Sequence, residues 1–154
     1  MERTASDNAY LHKDFHGALN QALIYLERNF GAGAVRGYLR QFARTFYAPL
    51  TAALKERGLE ALRAHLESLY SLEGARFDIR FSADELVLTV EACPAVGRIR
   101  AMGLPVSPSF EETTKTVNAA ICRGTGFRFE LLEYDRVTGR RVERYSKRRP
   151  GRGR

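Results

Sequence analysis

Apolar residues in the first half of the chain recur at steps of three and four, the spacing of one face of an α-helix. Leu11, Phe15, Ala18, Leu19, Ala22, Leu26 and Phe30 form the first stripe, which Gly31-Ala32-Gly33 ends. Asp14 offers a cap for a helix that would start only at Phe15. Val35, Leu39, Phe42, Phe46 and Tyr47 form a second stripe, and Pro49 either breaks it or opens the next helix in its first turn. Thr51 to Arg57 and Leu59 to Leu72 continue helically, with Gly58 between them as a cap and Leu62, Leu66, Leu69 and Tyr70 facing inward.

After Gly74 the period falls to two. Phe77, Ile79 and Phe81 alternate with Asp78 and Arg80, and Leu86, Leu88 and Val90 alternate with Val87, Thr89 and Glu91 after a turn at Ser82-Ala83-Asp84, which is the pattern of a β-hairpin. Cys93-Pro94 starts a short helix that Gly103 and Pro105 close. A better helix runs from about Ser109 to Cys122, with Ser109 and Glu112 at the spacing of a capping box. Phe127, Phe129 and Leu131 then alternate, and a turn at Asp135 to Gly139 returns the chain through Val142 and Tyr145. The expected fold is α+β, with N-terminal helices packed on one face of an antiparallel sheet of about four strands, built from two hairpins with an intervening helix. One domain is expected over residues 1–146, followed by a disordered Arg-rich tail over 147–154.

Length and composition sharpen this picture in three ways. A chain of 154 residues, 44% hydrophobic, holds one core and needs neither a disulfide framework nor a metal staple. Its apolar runs fall far short of the ~20 residues of a membrane span. Its first residues also lack the apolar middle of a secretory signal, so a soluble cytoplasmic protein without a membrane partner is expected. Cys93 and Cys122 fit a reducing compartment. The formal charge of +7 resides entirely in residues 140–154, where eight bases face one acid, Glu143; residues 1–139 are formally neutral. The basicity therefore reads as a property of the tail, capable of weak nonspecific nucleic-acid contact but matched to no known nucleic-acid-binding signature.

Candidate chemistry is sparse. His12 and His16 stand four apart, so within one helix they share a face and can address one substrate or ion. Position 13 is Lys, which removes the glutamate of a metalloprotease helix. His65, among Arg63, Ala64 and Glu67, reads as a surface residue. Cys93 precedes a Pro-initiated helix, where the N-terminal N–H groups favour a thiolate, a placement that suits a nucleophile as well as a small buried strand-end residue. Glu111, Thr114, Asn118 and Cys122 line one side of the last helix, facing either solvent or a pocket. No phosphate loop, dinucleotide fingerprint, Cys-x-x-Cys or serine elbow is present.

Taken together, Tyr10-Leu11-His12-Lys13-Asp14-Phe15-His16, Phe46 to Leu50, Cys93-Pro94-Ala95-Val96, Glu111 to Cys122 and Leu131 to Asp135 form a recognisable set. Over about residues 10 to 145 the chain resembles the bacterial L-2-amino-thiazoline-4-carboxylic acid hydrolase family. The resemblance implies hydrolytic ring opening, in which water attacks the amidine-like carbon and the ring sulfur leaves. It implies Cys93 as nucleophile, His12 or His16 as base, Asp14 as an orienting partner, and Tyr10, Glu111, Thr114, Asn118 and Cys122 as substrate-binding residues. A zinc-bound water held by His12, His16 and a cysteine is the rival arrangement, so cofactor dependence stays open. The Cys-Pro step after a strand also resembles a vinyl reductase-like sensor domain that binds a small molecule and turns nothing over.

Overall fold

The computed structural model describes residues 13–149. Tyr10 and His12 lie outside the described residues, as do Pro150 to Arg154. The chain forms α1 (Lys13–Phe30), α2 (Ala32–Phe46), α3 (Ala48–Arg57), α4 (Leu59–Leu72), β1 (Phe77–Phe81) and β2 (Glu85–Val90). There follow α5 (Pro94–Ala101), α6 (Glu112–Cys122), β3 (Phe127–Tyr134) and β4 (Arg141–Lys147). The α+β architecture expected from the change of period is thus what forms.

The helices begin and end largely where the chemistry directs. Gly31, at φ 83°, turns α1 directly into α2, a conformation that costs glycine nothing. Pro49 occupies the first turn of α3, where its missing N–H is not needed. Asp14 lies inside the first turn of α1, which starts at Lys13, so it does not cap a helix beginning at Phe15. The capping box is also absent: α6 starts at Glu112 without a side-chain cap, and the Ser109 N–H is taken by the Ser107 hydroxyl instead (3.2 Å).

All four strands are antiparallel, in the order β1-β2-β4-β3. The two sequence-local hairpins are joined through their second strands, with Leu86 opposite Tyr145, Leu88 opposite Glu143 and Val90 opposite Arg141. Residues paired across strands share a face, so the inner face of β4 carries Arg141, Glu143 and Tyr145, all buried. A bulge at Leu132 shifts the β3 register, so that Leu131 pairs with Glu143 but Tyr134, not Glu133, pairs with Arg141. The extra residue returns an aromatic side chain to the inner face.

Helices α4 and α6 lie against the strands, and α1, α2 and α3 pack behind them. Leu23, Val35, Leu39, Leu54, Leu62, Leu88 and Ile99 form the fully buried centre of the core. Asn20 ties α1 to the segment before α6: its amide donates to Pro105 O and its carbonyl accepts from the Ser107 N–H, both at 2.8 Å. Thr51 on α3 donates to Ile121 O on α6 (3.2 Å).

The basic C-terminal stretch is not a tail throughout. Arg140 reaches Glu133 (2.8 Å), Arg144 reaches Glu130 (2.7 Å) and Lys147 lies 3.6 Å from Asp84. Arg148 gives its backbone N–H to Gly126 O (2.8 Å) and its Nε–H to Phe127 O (3.1 Å), so the folded domain extends past residue 146. The acids that meet these bases lie on β3, as Glu130 and Glu133, and in the turn between β1 and β2, as Asp84.

Candidate functional site

The helices do not close fully on the sheet. Between α1, α2, α4, α6 and the inner face of β4 lies a cavity of about 480 Å³. Its walls are apolar, from Leu19, Leu39, Leu62, Leu66, Leu69 and Ile121, and Phe15, Phe42, Phe46 and Tyr47 form an aromatic cluster at one side. Phe15 and Phe46 reach solvent.

Its floor is a buried polar network. Arg141 donates from Nε to Glu143 Oε1 (2.6 Å), from Nη1 to Gly139 O (3.3 Å) and from Nη2 to the Tyr70 hydroxyl. Glu143 Oε2 accepts from the Tyr145 hydroxyl (2.6 Å) and from Asn118 Nδ2 (3.3 Å). The Arg141 guanidinium also lies over the Tyr70 ring, 5.6 Å from its centre. Burial opposes the charge on Arg141, but Tyr70 and Glu143 outweigh it and hold the guanidinium protonated. Burial pushes the Tyr70 and Tyr145 hydroxyls well above their ordinary range, so both keep their protons as donors.

Several predicted site residues meet here. Cys93 is the residue before the first turn of α5, half-buried, with its N–H bonded to Thr138 O (3.0 Å), and it lines the cavity. His16 lines it from α1, with Nε2 3.4 Å from Glu73 Oε1 at the end of α4. Thr114 and Asn118 line it from α6. The other residues of that helix side do not. Glu111 is held by Arg136 (2.9 Å) beyond the cavity, and Cys122 is enclosed in the core, where burial pushes its thiol up to about 12. The side of α6 that reads as one stripe therefore serves three environments along its length. Asp14's side chain, like Tyr10 and His12, lies outside the described residues.

Sequence reading missed four contributors. His65 is not a surface residue: it is half-buried, lines the cavity, and meets Tyr47 edge-on at 5.9 Å. Burial lowers its pKa from the ordinary 6.5, favouring neutral imidazole. The signal was its place in the stripe, three residues after Leu62 and four before Leu69. Arg141 and Glu143 read as tail charges because net charge was counted by segment, whereas their spacing of two, with Tyr145 next, was the mark of one strand face. Tyr70 read correctly as inward-facing but only as core.

Among the described residues, no group of three histidine, cysteine or acidic side chains is placed to hold a metal ion. No helix among them is long and apolar enough to cross a membrane.

Known proteins add nothing to this geometry. Comparison of the chain with protein-family models, curated proteins and solved structures finds no match.

Proposed function

We propose that the protein binds a small organic molecule in this cavity. The observation that carries the reading is the cavity itself. Protein interiors are packed to the density of organic crystals, and a 480 Å³ space walled by leucines and phenylalanines belongs to the size class of ligand sites. Apolar walls with a few convergent polar groups are the usual composition of such sites. Thermal-shift screening of a diverse small-molecule set, repeated on Leu66→Trp to fill the cavity, tests the reading. Ligands that stabilise the native chain and lose their effect in the filled variant support it; ligands that stabilise both equally bind elsewhere.

Hydrolysis is a second reading, favoured by one observation: His16 and Cys93, far apart in sequence, line the same cavity. The resemblance to the thiazoline-carboxylate hydrolases supports it. In that chemistry the Cys93 sulfur adds to the amidine-like carbon, the ring C–S bond breaks, and the departing sulfur takes a proton from protonated His16. Water, losing a proton to His16, then displaces Cys93 and leaves an N-carbamoyl cysteine. Thr114 and Asn118 would position the substrate, and a metal-bound water is the alternative nucleophile. Incubation with 2-aminothiazoline-4-carboxylate, followed by mass spectrometry for the product, tests this directly. Turnover lost in both Cys93→Ser and His16→Gln supports the assignment, and absence of turnover in the native chain removes it.

A further inference from the structure

The groups on the cavity walls restrict what the ligand can be. At the floor, Arg141 and Glu143 cancel as a buried pair 2.6 Å apart. Both oxygens of Glu143 are engaged, one by Arg141 and the other by Tyr145 and Asn118. Higher on the wall, Glu73 stands beside His16. A carboxylate ligand at the floor would add negative charge where Arg141 is already matched by Glu143. An ammonium ligand would have to compete for oxygens already taken. At the floor, either charge would be buried without an opposite charge of its own, the costly case in a low-dielectric site.

A neutral oxygen is better served. The Tyr70 hydroxyl accepts from Arg141, keeps its proton, and donates that proton to no acceptor among the described residues. It is buried in the polypeptide yet lines the cavity. Thr114, on α6, also lines the cavity, and its hydroxyl makes no hydrogen bond among the described residues. Two hydroxyl donors therefore face a cavity whose other polar groups include the Arg141–Glu143 and His16–Glu73 pairs, His65, Cys93, Thr113 and Asn118, and whose remaining walls are mainly apolar. A buried donor left unmatched is destabilising, and an acceptor on the ligand removes that penalty.

We infer that the ligand is an uncharged, predominantly apolar molecule whose one polar head, a carbonyl or hydroxyl oxygen, accepts a hydrogen bond from Tyr70 at the cavity floor. The inference rests on the small-molecule reading above. It sets the ligand apart from an amino-acid-like substrate, whose charges the floor does not match.

Four probes that share a biphenyl body separate the possibilities: 4-acetylbiphenyl, biphenyl-4-carboxylate, biphenyl-4-methylammonium and biphenyl itself. Each is titrated into the full chain by calorimetry, with probe fluorescence as a second readout in a protein that has no tryptophan. The ketone should bind about tenfold or more tighter than either charged probe. Tyr70→Phe should weaken the ketone about tenfold, equivalent to one hydrogen bond, and leave biphenyl unchanged. Unchanged biphenyl binding also shows that the variant keeps its cavity, and Thr114→Val should weaken the ketone by a smaller factor on the same terms. Tightest binding by the carboxylate or the ammonium overturns the assignment of a neutral ligand while leaving a small-molecule site in place. Equal weakening of ketone and biphenyl in Tyr70→Phe overturns the role of the hydroxyl. Absence of binding by all four overturns the cavity reading itself.

Discussion

Gly139 lies directly against Cys93: a methyl group on Gly139 would overlap the Cys93 β-carbon and press on Val96. Gly139 also has φ 69°, and the neighbouring Thr138 carbonyl accepts the Cys93 N–H. The β3–β4 turn thus fixes the position of Cys93 at the cavity. Gly139→Ala should destabilise the fold by more than the ~1–2 kcal/mol typical of a side chain at positive φ, because overlap adds to it. Urea unfolding measures the loss, and a changed alkylation rate at Cys93 reports the displaced turn.

Breaking the Arg141–Glu143 pair should cost more than removing it. Arg141→Met leaves the Glu143 carboxylate buried without its cation and should destabilise by about 3–5 kcal/mol. Combining it with Glu143→Leu should recover much of that loss, since a packed apolar pair avoids the unmatched charge. A double-mutant cycle by chemical denaturation reads the coupling. Additive losses in the cycle would show that the two groups do not act as a pair.

His65 makes stability depend on pH in a defined direction. Burial lowers its folded pKa below the 6.5 of the unfolded chain. Between the two values the unfolded state binds a proton that the folded state refuses, so stability present above pH 6.5 is lost as pH falls through the folded pKa. Tyr47, the ring against it, is pushed up from 10 by burial and by Glu73, and stays neutral in this window. Melting temperatures of native chain and His65→Phe, compared from pH 7.5 downward, should diverge in slope below about pH 6.5. Parallel profiles would contradict this role.

The two cysteines should differ sharply in reactivity. Cys122 is enclosed in the core with its thiol pushed up to about 12, whereas Cys93 is half-buried and opens on the cavity. Iodoacetamide at neutral pH should label Cys93 and leave Cys122 unlabelled until the chain unfolds. Peptide mass spectrometry with and without urea distinguishes the two, and a small molecule bound in the cavity should slow the first reaction.

The period change after Gly74, both hairpins and the helix start at Pro94 were legible because each rests on local chemistry: alternation, turn residues, a proline. The cavity floor was not. Its members come from α4, α6 and β4, and although Arg141, Glu143 and Tyr145 alternate as one strand face, their charges gave no sign that this face turns inward between the partner strands β2 and β3. The bulge at Leu132 belongs to the same class, since nothing in Leu131-Leu132-Glu133 marks which residue is extra until the partner strand sets the register. His65 shows the opposite failure, where its helical spacing placed it among leucines but the charges beside it suggested solvent.

The β2–β4 pairing also determines the order in which the molecule can be completed at the ribosome. β2 emerges with its first hairpin partner, β1, yet its other edge waits until α5, α6, β3 and nearly the whole of β4 have been made. Throughout that interval an apolar strand, Leu86-Val87-Leu88 with Val90, has unpaired N–H and C=O groups that another nascent chain can match. A translation pause after β2 has left the exit tunnel and before β4 has done so would prolong that exposure.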